Sequence, residues 1–417
     1  MYVVNGWKEL SWKVKVSGSK NAALPILAAT LLIRGKITLH NVPKIGDVMT
    51  FLEIISQIWV TYHFEGNTLF LDTSVLDLSH FNAEMIKKIR ASILLLAPLL
   101  HFFGNISIPF PGGCSIWKRP IDAHLNGLKS IWYSYSIDEN AIQLTGKMST
   151  GDIELNAGFW VTSTENLIVA NVLRPGQTII QLSAIEPHVM NLIDFLRKAW
   201  ANIKMRYNHV IVIQWVESLS NELDFEVVSD YIESGTFMVI AALASKEHID
   251  IENARIDDLY AFINKLKQAW VEVKDLWNDT LRVYRAKELR AVDIQTNIFP
   301  GFPTDIQSPF VILMTQAQWI SKVHEVLFEG RLNFLVELEK MRGHVAILNP
   351  HQALIFWKTS LTWAQVTSWD LRAWAAMVIA GLIAKWETKV TNIEYIERWY
   401  ENFIEKLLWL GADIQKV

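Results

Sequence analysis

One thiol, one lysine, one carboxylate and a set of arginines stand out as groups able to do chemistry. Cys114 lies in PGGCSIWKRPID, where glycines and prolines predict a loop and Lys118 and Arg119 follow closely. A lone cysteine is by default a small buried hydrophobe, but cations facing it would lower the thiol pKa and make it reactive. Lys20 and Asn21 open an apolar run, AALPILAAT, where a helix should start, and by themselves read as a solvated helix-starting pair. Arg119, Arg372 and Arg398 are planar cationic forks of the kind that clamps a carboxylate or a phosphate, although any one alone is surface charge. Asp305 closes FPTD, and its type suits either a proton acceptor or the N-cap of a helix running through Val311.

The chain that must position these groups has 417 residues, which predicts two domains. Apolar residues make up 51% and charged residues 20%, so the chain is globular and not disordered. Its 39 basic and 43 acidic residues give a net charge of −4, which excludes a broad basic field for nucleic acid and leaves local sites for small anions. One cysteine permits no internal disulfide and agrees with a reducing compartment, the cytoplasm. The opening MYVVNGWKELSW lacks a signal pattern, and the most apolar stretch, 91–103, is broken by Pro98 and too short to span a membrane. Nothing in the sequence suggests a metal, a flavin or a nicotinamide.

A helix-then-strand phrase recurs six times, beginning near Asn21, Ser92, Thr164, Thr236, Pro309 and Ala373. Its helices, such as ASILLLAPLLHFFG and RAWAAMVIAGLIAKW, are apolar nearly all round and should be buried. The strands that follow, such as KITLHNV and HIDIENA, alternate with the period of a half-buried strand. A second, more amphipathic helix-to-strand phrase alternates with the first, also six times.

The repeats expose an anomaly of composition. The chain holds 18 Trp beside 19 Gly, where glycine at its usual share would number about 29. At the helix stop of the second phrase stand Trp59, Trp132, Trp200, Trp270, Gly343 and Gly411; in the first, Gly35, Gly104 and Gly176 share their place with Trp319 and Trp386. Such a stop favours a left-handed residue, which glycine adopts freely and an indole-bearing residue does not. Packing on a shared apolar surface is the ordinary explanation of a tryptophan, yet here it must serve repeatedly at one position. The expectation is that most or all of the 18 stand for glycine, as when UGA codons of a lineage that reads them as glycine are rendered as tryptophan. Trp59, Trp132, Trp200 and Trp270 should then sit at helix ends, several with positive φ, their indoles toward solvent.

Read with glycine at these positions, the sequence resembles the enolpyruvyl transferases along its whole length, and within them the branch acting on an amino-sugar nucleotide. The matching stretches include GSKNAALPIL, KKIRASILLLAPLL, PGGCSIWKRPIDAHL, TSTENL, AIEPHV, FPTDIQSPF, FEGR, SWDLRAWAA and IERWYE. The resemblance implies an α/β fold, a two-domain inside-out α/β barrel of six βαβαββ-type repeats, three per domain. One domain would be 1–20 with 230–417 and the other 21–229, the latter carrying the Cys114 loop. Buried parallel helices would aim their N-termini at an interdomain cleft, favouring anionic substrates.

The same resemblance implies transfer of the enolpyruvyl group of phosphoenolpyruvate to the 3′-hydroxyl of UDP-N-acetylglucosamine, with release of phosphate and no cofactor. Cys114 would protonate the methylene carbon and be the residue alkylated by fosfomycin. Asp305 would take or orient the hydroxyl proton. Lys20, Asn21, Arg119, Arg331, Arg372 and Arg398 would hold phosphoenolpyruvate, with Lys20 and Arg398 counted as catalytic. The nucleotide sugar would meet Asn21, Arg90, Arg119, Pro120, Ile121, Asp122, Ala123, Val161, Thr162, Ser163, Asp305 and Leu327. Asp370, beside Arg372, matches a family acid of open role. Two alternatives stand beside this reading: the shikimate-pathway enzyme of the same fold, and a catalytically dead relative that still binds nucleotide sugar. The second follows if the tryptophans are genuine, since Trp117, Trp160, Trp369, Trp374 and Trp399 all neighbour the inferred site.

Overall fold

The computed structural model describes the chain except residues 80, 111, 113–120, 132, 138–140, 368–370, 394, 395 and 397, and gives the backbone alone at 133, 371 and 372. The chain forms two compact units, Gly18–Val228 and Met1–Ser17 with Ser229–Val417.

In the unit Gly18–Val228 the first-phrase runs become the helices Lys20–Thr30, Leu96–Phe103 and Val161–Asn171. Lys20–Thr30 is buried along almost its whole length, as an all-round apolar helix must be. The run at 91–103 divides into a 3₁₀ turn, Arg90–Leu95, and the helix from Leu96. The amphipathic phrase gives Gly46–Ser56, Asp122–Ser130 and Pro187–Lys198, each with one face in the core. Among the described residues, three sheets belong to this unit. In one, Glu222–Glu226 runs parallel to Lys36–His40, which continues antiparallel into the hairpin Thr61–Glu65 and Thr68–Asp72. The strands Ile153–Asn156, Gln177–Gln181, Val210–Gln214 and Asn202–Arg206 repeat that pattern.

The other unit is built alike around Tyr231–Ala244, Gln307–Met314 and Leu371–Ile383. Its first residues complete it from a distance. Tyr2–Asn5 lies between Glu387–Thr391 and Asp413–Lys416, and Lys13–Lys15 runs parallel to His248–Glu252. At Ser17 the chain is pinned by the buried Glu233, which accepts from the Ser17 N–H at 3.0 Å and from Lys406 Nζ, itself 2.6 Å from Ser17 Oγ. Burial raises the Glu233 pKa and Lys406 opposes the rise. Among the described residues no helix is long and apolar enough to cross a membrane.

The helix stops of the second phrase share one geometry. At Trp200, Trp270 and Gly411 the stop residue donates its N–H three residues back, and the next residue donates five back, to Leu196, Leu266 and Leu407. That is the Schellman arrangement, which places the stop residue in the left-handed region. Trp59, Trp200 and Trp270 have φ of 73°, 76° and 68° and are 52%, 67% and 54% exposed. Trp132 lies outside the described residues. Two glycine positions need correction. In the fifth copy the left-handed residue is Arg342 (φ 64°), so Gly343 stands one place after the stop. Gly35 answers to crowding instead: a Cβ there would fall 1.7 Å from the Asn221 carbonyl oxygen.

Candidate active site

The anticipated site residues divide between the two units. In Gly18–Val228, Lys20 is the first residue of its helix and is 4% exposed. Its ammonium lies 3.0 Å from Asp47 Oδ2, a carboxylate in the first turn of Gly46–Ser56 that is also buried. No acidic residue occupies the first turn of Lys20–Thr30, so the helix N-terminus and the Lys20 charge act with one sign. Asn21, half-buried, follows in the same turn.

Six of the residues expected at the nucleotide sugar lie at the starts of two helices of this unit. Ile121, Asp122 and Ala123 lead into the helix Asp122–Ser130, and Val161, Thr162 and Ser163 form the first turn of Val161–Asn171. His124 joins them, with Nε2 3.3 Å from Thr162 Oγ1 and Nδ1 2.8 Å from Asn166 Nδ2. Asn166 Nδ2 also donates to the Ile93 carbonyl at 3.0 Å, which fixes the amide orientation. Nδ1 must therefore accept, leaving the proton on Nε2, which donates to Thr162. Burial and the charge of Arg90 push the His124 pKa down to about 4, so the ring is neutral. Beside Asn166 in the helix Val161–Asn171, Glu165 is buried and its pKa is raised well above the ordinary value, by burial first and then by Glu186. Its Oε1 and the Ser163 hydroxyl have no hydrogen-bond partner among the described residues.

In the other unit Asp305 sits in the 3₁₀ turn Thr304–Ile306. It does not cap the helix that follows: Ile306 holds the N-cap of Gln307–Met314, and no side chain closes it. Asp305 instead receives Arg331, whose Nη2 lies 2.6 Å from Oδ1 while Nη1 donates to Thr304 Oγ1 at 2.8 Å. The Thr304 hydroxyl in turn donates to Glu325 Oε2 at 2.7 Å. Glu325, fully buried, also accepts from Gln307 Nε2 and from the N–H groups of Leu327 and Phe328. Leu327 is thus fixed by the same carboxylate that orients Thr304. Arg398 lies half-buried in the turn before Phe403–Trp409. Arg372 is the second residue of Leu371–Ile383, its side chain outside the description. Cys114, Arg119, Pro120, Trp117, Trp369 and Asp370 lie outside the described residues.

Sequence reasoning missed Asp47, His124, Glu165, Asn166, Thr304 and Glu325. Several fall inside the matched stretches, since His124 follows PIDA and Glu165–Asn166 are the EN of TSTENL. Glu325 had no signal, because its importance comes from four donors brought to it by folding.

The family model described as EPSP synthase (3-phosphoshikimate 1-carboxyvinyltransferase) matches residues 4–407. The chain belongs to the enolpyruvyl transferase family. Proteins named UDP-N-acetylglucosamine 1-carboxyvinyltransferase from Desulfosudis oleivorans and Coxiella burnetii are 37% and 38% identical to it, each across 100% of this chain and 99% and 95% of their own. UDP-N-acetylglucosamine 1-carboxyvinyltransferase 2 of Carboxydothermus hydrogenoformans is 39% identical over 417 residues, 100% of this chain and 99% of its own. Among solved structures, the enolpyruvyl transferase NikO from Streptomyces tendae superposes with a TM-score of 0.91 at 22% identity, over 99% of this chain and 98% of that one. EPSP synthase from Acinetobacter baumannii gives 0.77 at 15% identity, over 99% of each. The enolpyruvyl transferase fold is therefore that of this chain.

Proposed function

We propose that this enolpyruvyl transferase joins phosphoenolpyruvate to the 3′-hydroxyl of UDP-N-acetylglucosamine, releasing phosphate. The observation that carries the reading is 37–39% identity, over essentially full length on both sides, to relatives bearing the name of that activity. Chemistry proceeds by addition and elimination. The 3′-oxygen bonds to C2 of phosphoenolpyruvate as its proton leaves, and C3 takes up a proton. The tetrahedral intermediate then loses a C3 proton as the C2–O bond to phosphate breaks, giving an enol ether.

In this proposal Cys114 supplies the C3 proton and is the site of fosfomycin alkylation, and Asp305 receives or orients the hydroxyl proton. Lys20, Asn21, Arg119, Arg331, Arg372 and Arg398 hold the phosphate and carboxylate. Arg90, the run 119–123, Val161–Ser163 and Leu327 hold the nucleotide sugar. The Arg331 fork on Asp305 supports the role of that carboxylate, because it holds a rigid positive charge beside it. The enzyme would act in the cytoplasm at the first committed step of peptidoglycan synthesis. Purified protein should release phosphate only when phosphoenolpyruvate and UDP-N-acetylglucosamine are present together. Release with shikimate 3-phosphate in place of the sugar nucleotide would overturn the assignment.

A further inference from the structure

Among the described residues, eight tryptophans hold a left-handed backbone conformation that one phenylalanine and no tyrosine shares. Trp7, Trp12, Trp59, Trp200, Trp270, Trp277, Trp319 and Trp386 have φ between 66° and 87°. Three of the 18 tryptophans, Trp117, Trp132 and Trp369, lie outside the described residues, so these are eight of 15. Of the 19 phenylalanines only Phe159 has positive φ, and none of the described tyrosines does. Aromatic bulk alone is therefore not what brings a residue to these places. An L side chain is strained there and must be compensated by its contacts. The eight indoles cannot supply that, being 52–77% exposed. Trp7 does donate to the Ile383 carbonyl at 3.1 Å, yet it remains 67% exposed.

A different observation leads to the same residue. The helices Tyr231–Ala244 and Leu371–Ile383 carry GTFMVIAAL and WAAMVIAGL, which sets Trp374 at the place of Gly235. At Gly235 a Cβ would lie 2.7 Å from Ile306 Cδ1, so the backbone there is closely approached. Trp374 is completely buried, and its indole N–H has no acceptor among the described residues. A buried tryptophan that folding relies on normally satisfies that group.

We infer that glycine is the residue the gene specifies at these nine positions, through a codon that its source reads as glycine and that is rendered here as tryptophan. UGA is the codon that fits both readings. The inference concerns the chain itself and stands apart from the proposed activity. It is tested by peptide mass spectrometry on the protein from its native source, together with the coding DNA. Glycine at the nine positions, each encoded by UGA, is the expected result; tryptophan in those peptides, or UGG codons, would overturn it. Recombinant chains give a second readout. Changing Trp59, Trp200 or Trp270 to glycine should raise the Tm in each case. Trp357→Gly, at an exposed site without positive φ, should lower it or leave it unchanged, because glycine adds freedom to the unfolded chain. A fall in Tm at all three left-handed sites would show genuine tryptophans and contradict the inference.

Discussion

Arg331 grips Asp305 and Thr304 with the two ends of one guanidinium, 2.6 Å and 2.8 Å away. The carboxylate proposed to handle the sugar hydroxyl proton is therefore held in one direction before substrate arrives. Asp305→Asn keeps the shape and removes the base, and should lower kcat by about 10²-fold or more, the usual range for a lost general base. KM should change far less. Because the two side chains touch, Arg331→Met combined with Asp305→Asn should cost less than the sum of the single changes, with a coupling of about 0.5–3 kcal/mol. Strict additivity in steady-state kinetics would show that Arg331 does not act through Asp305.

Glu325 presents both carboxylate oxygens to donors: Thr304 and Gln307 on one side, the Leu327 and Phe328 N–H groups on the other. In Glu325→Gln one end of the amide must face donors with a donor. Leaving buried groups unpaired costs about 1–3 kcal/mol, so urea unfolding should shift to lower denaturant. Turnover should fall as well, since Thr304 no longer orients Arg331. A variant as stable and active as the parent would exclude this role.

His124 ties stability to acid. Its folded pKa is about 4, below the ordinary value near 6.5, so between these limits the unfolded chain binds the proton and the folded chain does not. Stability from this group is complete above about pH 6.5 and is lost as pH falls through about 4, by roughly 3 kcal/mol at most. The pH dependence of unfolding should be shallower over that interval in His124→Asn. Parallel curves would mean the imidazole is already charged in the folded protein.

Glu165 has the opposite sign. Its folded pKa is raised, so its contribution is full below the ordinary carboxylate value and declines as pH rises toward the folded value. Glutamine mimics the protonated acid, and Glu165→Gln should be at least as stable as the parent at neutral pH, gaining as pH increases. Marked destabilisation of the variant in alkaline buffer would show that the ionised form is the one the fold uses.

The elements were legible where a local pattern carries them. All-round apolar runs became the buried helices, and alternation marked Lys36–His40 and His248–Glu252 as strands. What could not be read locally depends on distant partners. Tyr2–Asn5 is a strand because Glu387–Thr391 and Asp413–Lys416 flank it, hundreds of residues away. The same limit applies to chemistry. FPTD marked Asp305, but the Arg331 fork and the Glu325 carboxylate behind it exist only once folding brings residues 304–331 together. The fifth stop falls on Arg342, one residue before Gly343, because a helix stop is set by which N–H reaches back, and composition alone does not carry that register.

The proposed activity is tested most directly by following one reaction mixture of enzyme, phosphoenolpyruvate and UDP-N-acetylglucosamine by proton and phosphorus NMR, using the glycine-bearing chain. The vinyl signals of phosphoenolpyruvate should give way to those of a new enol ether as inorganic phosphate appears, with the diphosphate of the nucleotide intact. Phosphate appearing without a new enol ether, or at the expense of the diphosphate, would contradict enolpyruvyl transfer.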